Sequence, residues 1–194
     1  MATVQIGNIQ AIDVRDEFPD VNTPSIYYAQ RSLADIDAKV LHHSVTNPAL
    51  DPYQSLQSIY ASHRRQGWPG IGYHLIISRD GRIFLAGGAE TVRAQVLGRN
   101  ETSIGVCLLG DFTYATPDLR QLVAAGRLSR ELDLALGREL PLYGHRGYAL
   151  PGRGTACPGD TWPLWWPLVF TPKAEPWWTK LDSRVSGDSP LRLD

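Results

Sequence analysis

The residues of this chain whose types and spacing could do chemistry gather in one stretch, residues 142–160 (LYGHRGYALPGRGTACPGD), which carries His145 and Cys157. An imidazole nitrogen and a thiolate are both ordinary zinc donors, so the pair could supply two ligands of one ion. Eleven residues separate them, which matches no tight zinc-finger clip, and a third donor must come from elsewhere. A surface histidine beside an unrelated thiol is the alternative that this stretch alone leaves open. Its Gly/Pro-rich composition predicts a loop that brings side chains together rather than a continuing helix or strand.

Another source of donors is the segment 38–46, AKVLHHSVT, a short apolar run that ends in His42 and His43 before a turn-like SVTNP. Such a run predicts a buried strand delivering side chains at its C-terminal end. Neighbours on a strand point to opposite faces, so only one of the two histidines can join a site, and the other packs or hydrogen-bonds. His63 falls on a helix expected over 52–66, with Asp51 as N-cap, Pro52 at its first position and Gly67 as its stop. Without a second donor one turn away, His63 reads as a rim or surface residue.

Positioning these groups takes a sheet. VQIGNIQAI alternates apolar and polar residues about Gly7-Asn8, the pattern of a short hairpin. Residues 13–37 are acidic and irregular and read as a wrapping segment. GYHLIIS and RIFLA, joined through Arg79-Asp80-Gly81-Arg82, predict a second hairpin. TSIGVCLLG predicts a central strand in which Cys107 is a small buried hydrophobe. Thr116-Pro117 opens a second helix, with Leu119, Leu122, Val123, Leu132 and Leu136 inward and Gly137 past its end. LPLYGH is the last strand and carries His145 at its tip. This order predicts an α/β fold, a single domain with a central mixed β-sheet flanked by helices.

Beyond Asp160, residues 162–178 hold five of the six tryptophans (Trp162, Trp165, Trp166, Trp177, Trp178) among four prolines. That proline density forbids a long helix but permits one turn after Thr161. The rings either cap the domain and fill its core or form an aromatic platform for sugar rings or a partner. The final SRVSGDSPLRLD has few hydrophobic residues and reads as a loose end. Three parts follow: residues 1–37 as hairpin and wrapping segment, 38–170 as the core domain that carries the candidate donors, and 171–194 as a tail.

Length and composition exclude several classes. The 194 residues suit one core, and 43% hydrophobic with 20% charged residues describes an ordinary globular chain. No apolar run approaches the roughly 18 residues of a spanning helix, so no stable membrane insertion is expected. Two cysteines make no disulfide framework. A net charge of −1 argues against nucleic acid as the partner. The charge is uneven: residues 1–37 carry two Arg against six Asp/Glu, and 38–170 carry thirteen Lys/Arg against ten Asp/Glu. MATVQIGNIQ lacks a basic start followed by an apolar run, so synthesis in the cytoplasm without a secretory signal is the expectation.

With HHS at a strand end, GWPGIGYHLIISRDG, NETSIGVCLLG and GHR…CPG in order, the chain resembles the zinc amidases of the type 2 amidase and peptidoglycan recognition protein family, phage endolysins among them. The resemblance covers about residues 38–165. It implies a mixed sheet with helices on its faces and one Zn2+ at one end. It also implies that His42, rather than His43, joins His145 and Cys157 as the metal ligands. Tyr73 and Thr155 match catalytic positions, and Trp68 and Asn100 match groove positions that touch the muropeptide. Some positions depart from the family pattern. The His145–Cys157 loop is four residues longer than usual, Gly87 stands where diaminopimelate-preferring members have arginine, Gln95 replaces a groove histidine, and Cys107 replaces another branch's glutamate.

Two neutral imidazoles and a thiolate leave a fourth zinc position open for water, the catalytic pattern. The implied reaction is hydrolysis of the amide between N-acetylmuramic acid and L-alanine in peptidoglycan, by a zinc-bound water and a monomeric chain acting on the bacterial cell wall. Tyr73 would donate to the developing oxyanion, and Thr155 would add a second hydrogen bond. A non-catalytic peptidoglycan-binding module of the same fold and a cytoplasmic muropeptide-recycling amidase are the rivals. An HExxH peptidase is excluded because the chain contains no such motif.

Overall fold

The apolar runs become strands in the computed structural model, which describes residues 2–169. Thr3–Ile6 (β1) and Ile9–Asp13 (β2) form the first hairpin about Gly7, whose φ of +56° is the left-handed region that glycine tolerates. Ala38–His43 (β3), Leu75–Ile77 (β4), Ile83–Leu85 (β5), Ser103–Leu108 (β6) and Leu142–Gly144 (β7) complete a seven-stranded sheet of order β1-β2-β5-β4-β6-β3-β7. The sheet is mixed: β4 and β5 pair antiparallel, whereas β3 runs parallel to both β6 and β7. The first hairpin belongs to this same sheet through a parallel β2–β5 pairing.

Both β3 and β6 are buried along their whole length, and the one charged side chain among them, Lys39, is accommodated by its pairing with Asp133 at 2.6 Å. On one face Leu41, Ile104, Val106 and Leu108 pack with Leu122, Leu128 and Leu132. On the other, Ile76, Phe84 and Cys107 pack with Leu56 and Ile59. The helices that supply these partners are Pro52–Arg65 (α1) and Leu119–Leu136 (α2).

Asp51 caps α1 as expected: its carboxylate accepts from Tyr53 N–H while Gln54 reaches back to Asp51 N–H. For α2 the expectation is corrected at its start. Asp118, not Thr116-Pro117, is the N-cap, because its carboxylate accepts from Arg120 N–H. Leu119 is correspondingly 50% exposed rather than inward, and the buried face runs through Gln121, Leu122, Ala125, Leu128 and Leu132. Gly137 ends the helix with φ +67°.

The stretch after β7 is also more helical than its composition suggests. One turn, His145–Tyr148 (α3), follows directly, and Trp162–Val169 (α4) makes two turns rather than one. Pro163 is tolerated there because the first turn has no hydrogen-bond partners for its N–H groups. Burial of Trp165 and Val169 offsets the bond lost at Pro167. Trp165 is 1% exposed, sits edge-on to Phe112 and Trp162, and donates from Nε1 to Thr161 Oγ1. Trp162 and Trp166 pack beside it, so these three rings fill and cap the core. Trp177, Trp178 and the tail 171–194 lie outside the described residues. Trp165→Ala is expected to cost about 3–5 kcal/mol, read as a lower denaturant midpoint.

Candidate metal centre

Period-two alternation on β3 decides which histidine faces the site. Leu41 packs on the α2 side, so His42, one residue on, projects from the opposite face with Val40. His43 turns the other way, where its Nδ1 accepts from Phe112 N–H at 3.2 Å. His145 opens α3 directly after the β7 strand that pairs with β3, and the two imidazole ring centres come within 4.6 Å.

The loop returning from α3 brings Cys157 to the same place. Arg146 N–H donates to Cys157 O at 2.9 Å, Arg146 Nη2 pairs with Asp160 at 2.8 Å, and Thr155 Oγ1 accepts from Cys157 N–H at 3.1 Å. Gly159 makes the closing turn possible. Its φ is +108°, and a Cβ there would collide with Phe112 O, so only glycine fits the CPG turn. His43 N–H also points to Cys157 Sγ at 3.4 Å.

The ligand atoms of His42, His145 and Cys157 lie within 4.8 Å of one another. Their chemistry fits a zinc ion. Burial, and then the neighbouring His145, push the His42 pKa down to about 3, and burial lowers that of His145. Both imidazoles are therefore neutral at neutral pH and offer lone pairs. Burial pushes the Cys157 thiol up to about 12, so it keeps its proton until a cation replaces it.

Tyr73 precedes β4, with its ring 5.2 Å from that of His42. Burial first, then the nearby Cys107 and Cys157 thiols, hold its pKa well above that of an ordinary phenol. It thus remains a proton donor at neutral pH. Cys107 is fully buried, as expected of a small hydrophobe, and belongs to the apolar cluster against which Tyr73 packs.

His63, expected at the rim or the surface, stands at the cleft but is buried, 8% exposed, and its Nδ1 accepts from Gly72 N–H at 2.9 Å. It backs Trp68, with ring centres 4.5 Å apart. Two adjoining clefts meet here, and the seven residues singled out from the sequence line them. His42, Tyr73 and Cys157 line one, Asn100 lines the other, and Trp68, His145 and Thr155 border both. Asn100 is also committed inward, its Oδ1 accepting from the backbone N–H groups of Gln95 and Val96. The longer loop contributes exposed Gly152, Arg153 and Gly154 to the second cleft.

Sequence reasoning missed one side chain that the fold brings against His42. Gln95, noted only as a replacement for a groove histidine, is 8% exposed and lies 2.7 Å from His42 Nε2 through its Oε1. No local pattern signals a contact between residues 53 apart. The glycine at 87 also acquires a reason. A Cβ there would collide with the Arg93 guanidinium, and that group pairs with Asp20 and lies over the Tyr28 ring. Among the described residues no helix is long and apolar enough to cross a membrane.

Residues 32–160 match the family model described as N-acetylmuramoyl-L-alanine amidase. The chain is similar to a peptidoglycan-recognition protein of Drosophila simulans, 33% identical over 150 residues that cover 71% of this chain and 80% of that one. It is 32% identical to the endolysin of Klebsiella phage KP32 over 130 residues, 65% and 82% of the two chains. Among solved structures, the N-acetylmuramoyl-L-alanine amidase LysC from Clostridium intestinale URNW superposes with a TM-score of 0.58 at 29% identity, over 73% of this chain and 93% of that one.

Proposed function

Because this chain belongs to the N-acetylmuramoyl-L-alanine amidase family, we propose that it hydrolyses the amide bond between N-acetylmuramic acid and L-alanine in peptidoglycan. The observation that carries the reading is the meeting of His42, His145 and Cys157 within 4.8 Å, beside the protonated hydroxyl of Tyr73 in one cleft. Two imidazoles and a thiol would hold the ion, which when bound supplies Lewis acidity and makes water ionise near neutral pH.

The chain's own residues do the rest. Water adds to the carbonyl carbon, the C–N bond breaks, and the lactyl carboxylate and the free amino group of L-alanine are released. As the carbonyl oxygen gains negative charge, Tyr73 Oη–H donates to it, a hydrogen bond stronger in the transition state than in the ground state. Thr155 Oγ1 already accepts from Cys157 N–H, which leaves its own proton for a second donation into the cleft. Trp68 offers an apolar wall to the muropeptide, and residues 38–170 form the catalytic unit.

The biological role that suits this chemistry is lysis of the bacterial wall, as for the endolysin relative. A binding module without hydrolysis is disfavoured by Cys157, whose thiol stands with both histidines. The test is digestion of purified walls, with and without a chelator, followed by mass spectrometry. Glycan strands bearing free lactyl carboxylates and peptides beginning at L-alanine are expected, lost on chelation and restored by zinc. Wall binding with no new amino termini would instead establish the binding module.

A further inference from the structure

We propose that Gln95 is a positioning residue: it holds His42 as the Nε2–H tautomer and so turns the Nδ1 lone pair toward His145 and Cys157. The consequence for metal binding rests on the zinc reading above, whereas the tautomer rests on hydrogen bonding alone.

The direction of each bond follows from the far end of a buried chain. Ser103, fully buried at the start of β6, has one hydroxyl proton, and its Oγ lies 2.7 Å from the carbonyl oxygen of Arg99. A carbonyl cannot donate, so the proton goes to it, and toward Gln95 the hydroxyl can only accept. The amide NH2 of Gln95 therefore faces Ser103, at 2.5 Å, and the amide oxygen faces His42. Across 2.7 Å from that oxygen, His42 Nε2 must carry the ring proton. Nδ1 keeps its lone pair, and it is the nitrogen 3.6 Å from Cys157 Sγ.

Two neighbours leave room and support for this side chain. Gly105 on β6 is one, since a Cβ there would come within 2.8 Å of Gln95 Cγ. Asn100 is the other: its Oδ1 holds the backbone N–H groups of Gln95 and Val96 at 2.8 and 2.7 Å, fixing the segment from which Gln95 reaches down. Partners of this kind on the non-ligating ring nitrogen set the orientation of a metal-binding histidine, and their loss typically weakens metal about 10–100-fold.

The experiment uses the full chain. Long-range 1H–15N NMR of the histidine rings reads the His42 tautomer in metal-free protein, and competition with a chromogenic chelator reads zinc affinity. Gln95→Met removes the acceptor at similar length, and Gln95→Leu serves if methionine is not tolerated. Either variant should lose the single Nε2–H tautomer and bind zinc about 10–100-fold more weakly. Gln95→Glu, which restores an acceptor, should recover the tautomer and most of the affinity. A methionine or leucine variant that keeps the Nε2–H form, or keeps wild-type affinity within about twofold, overturns the proposal. A wild-type chain that binds no zinc would sink the metal reading instead, and the tautomer would then decide the role of Gln95 by itself.

Discussion

Cys157→Ala is expected to remove zinc and reduce wall hydrolysis to background while leaving the fold in place. The thiol is the one anionic donor available among the three, because both histidines are neutral where they stand. Two imidazoles alone compete poorly with water and buffer for a dication that a thiolate would otherwise partly neutralise. The cost to folding should be small. Cys157 is only partly buried, and its backbone contacts, the N–H to Thr155 and the carbonyl from Arg146, survive the change. Metal analysis of the purified variant beside a turbidity assay on bacterial walls reads both effects. Zinc at full occupancy in the variant would remove Cys157 from the ligand set.

Tyr73→Phe should separate binding from rate. Zinc content stays at the wild-type level, because the phenol belongs to no ligand group, while kcat falls about 10²–10³-fold, the usual effect of losing one preorganised oxyanion donor. KM should change little, since the lost interaction strengthens only as charge develops. The structural penalty should be small, since phenylalanine keeps the ring beside His42 and His63. A phenylalanine variant with wild-type kcat would leave the cleft's hydroxyl without a part in the reaction. One that lost its zinc would instead make Tyr73 a determinant of the metal site.

Much of the architecture is written in local pattern. The runs at 38–43 and 103–108 centre on apolar residues, Val40 and Leu41 in one and Ile104, Val106, Cys107 and Leu108 in the other, as strands covered on both faces require. Asp51-Pro52 with Gln54 and Gly67 marks both ends of α1, because caps are chemistry between residues three or four apart. The same local reading placed α2 too early. Thr116 and Asp118 are both adequate caps by type, and the choice between them depends on which register turns Leu122, Leu128 and Leu132 onto the sheet. The tryptophan-rich segment was likewise ambiguous until Phe112 and Thr161 supplied partners for Trp165.

At the site, residue types together with a family resemblance pointed to His42, His145 and Cys157, and strand alternation alone required that His42 and His43 part ways. What only the tertiary structure decided is how these groups are held. Gln95 reaches His42 across 53 positions and Asn100 clamps the segment bearing it. Cys107 meets Tyr73, and Arg93 fills the space above Gly87. A sequence announces a donor by its type and its neighbours, because capping, alternation and turn chemistry act over a few bonds. The partner that orients the donor is chosen by which strands lie side by side, and no periodicity records that.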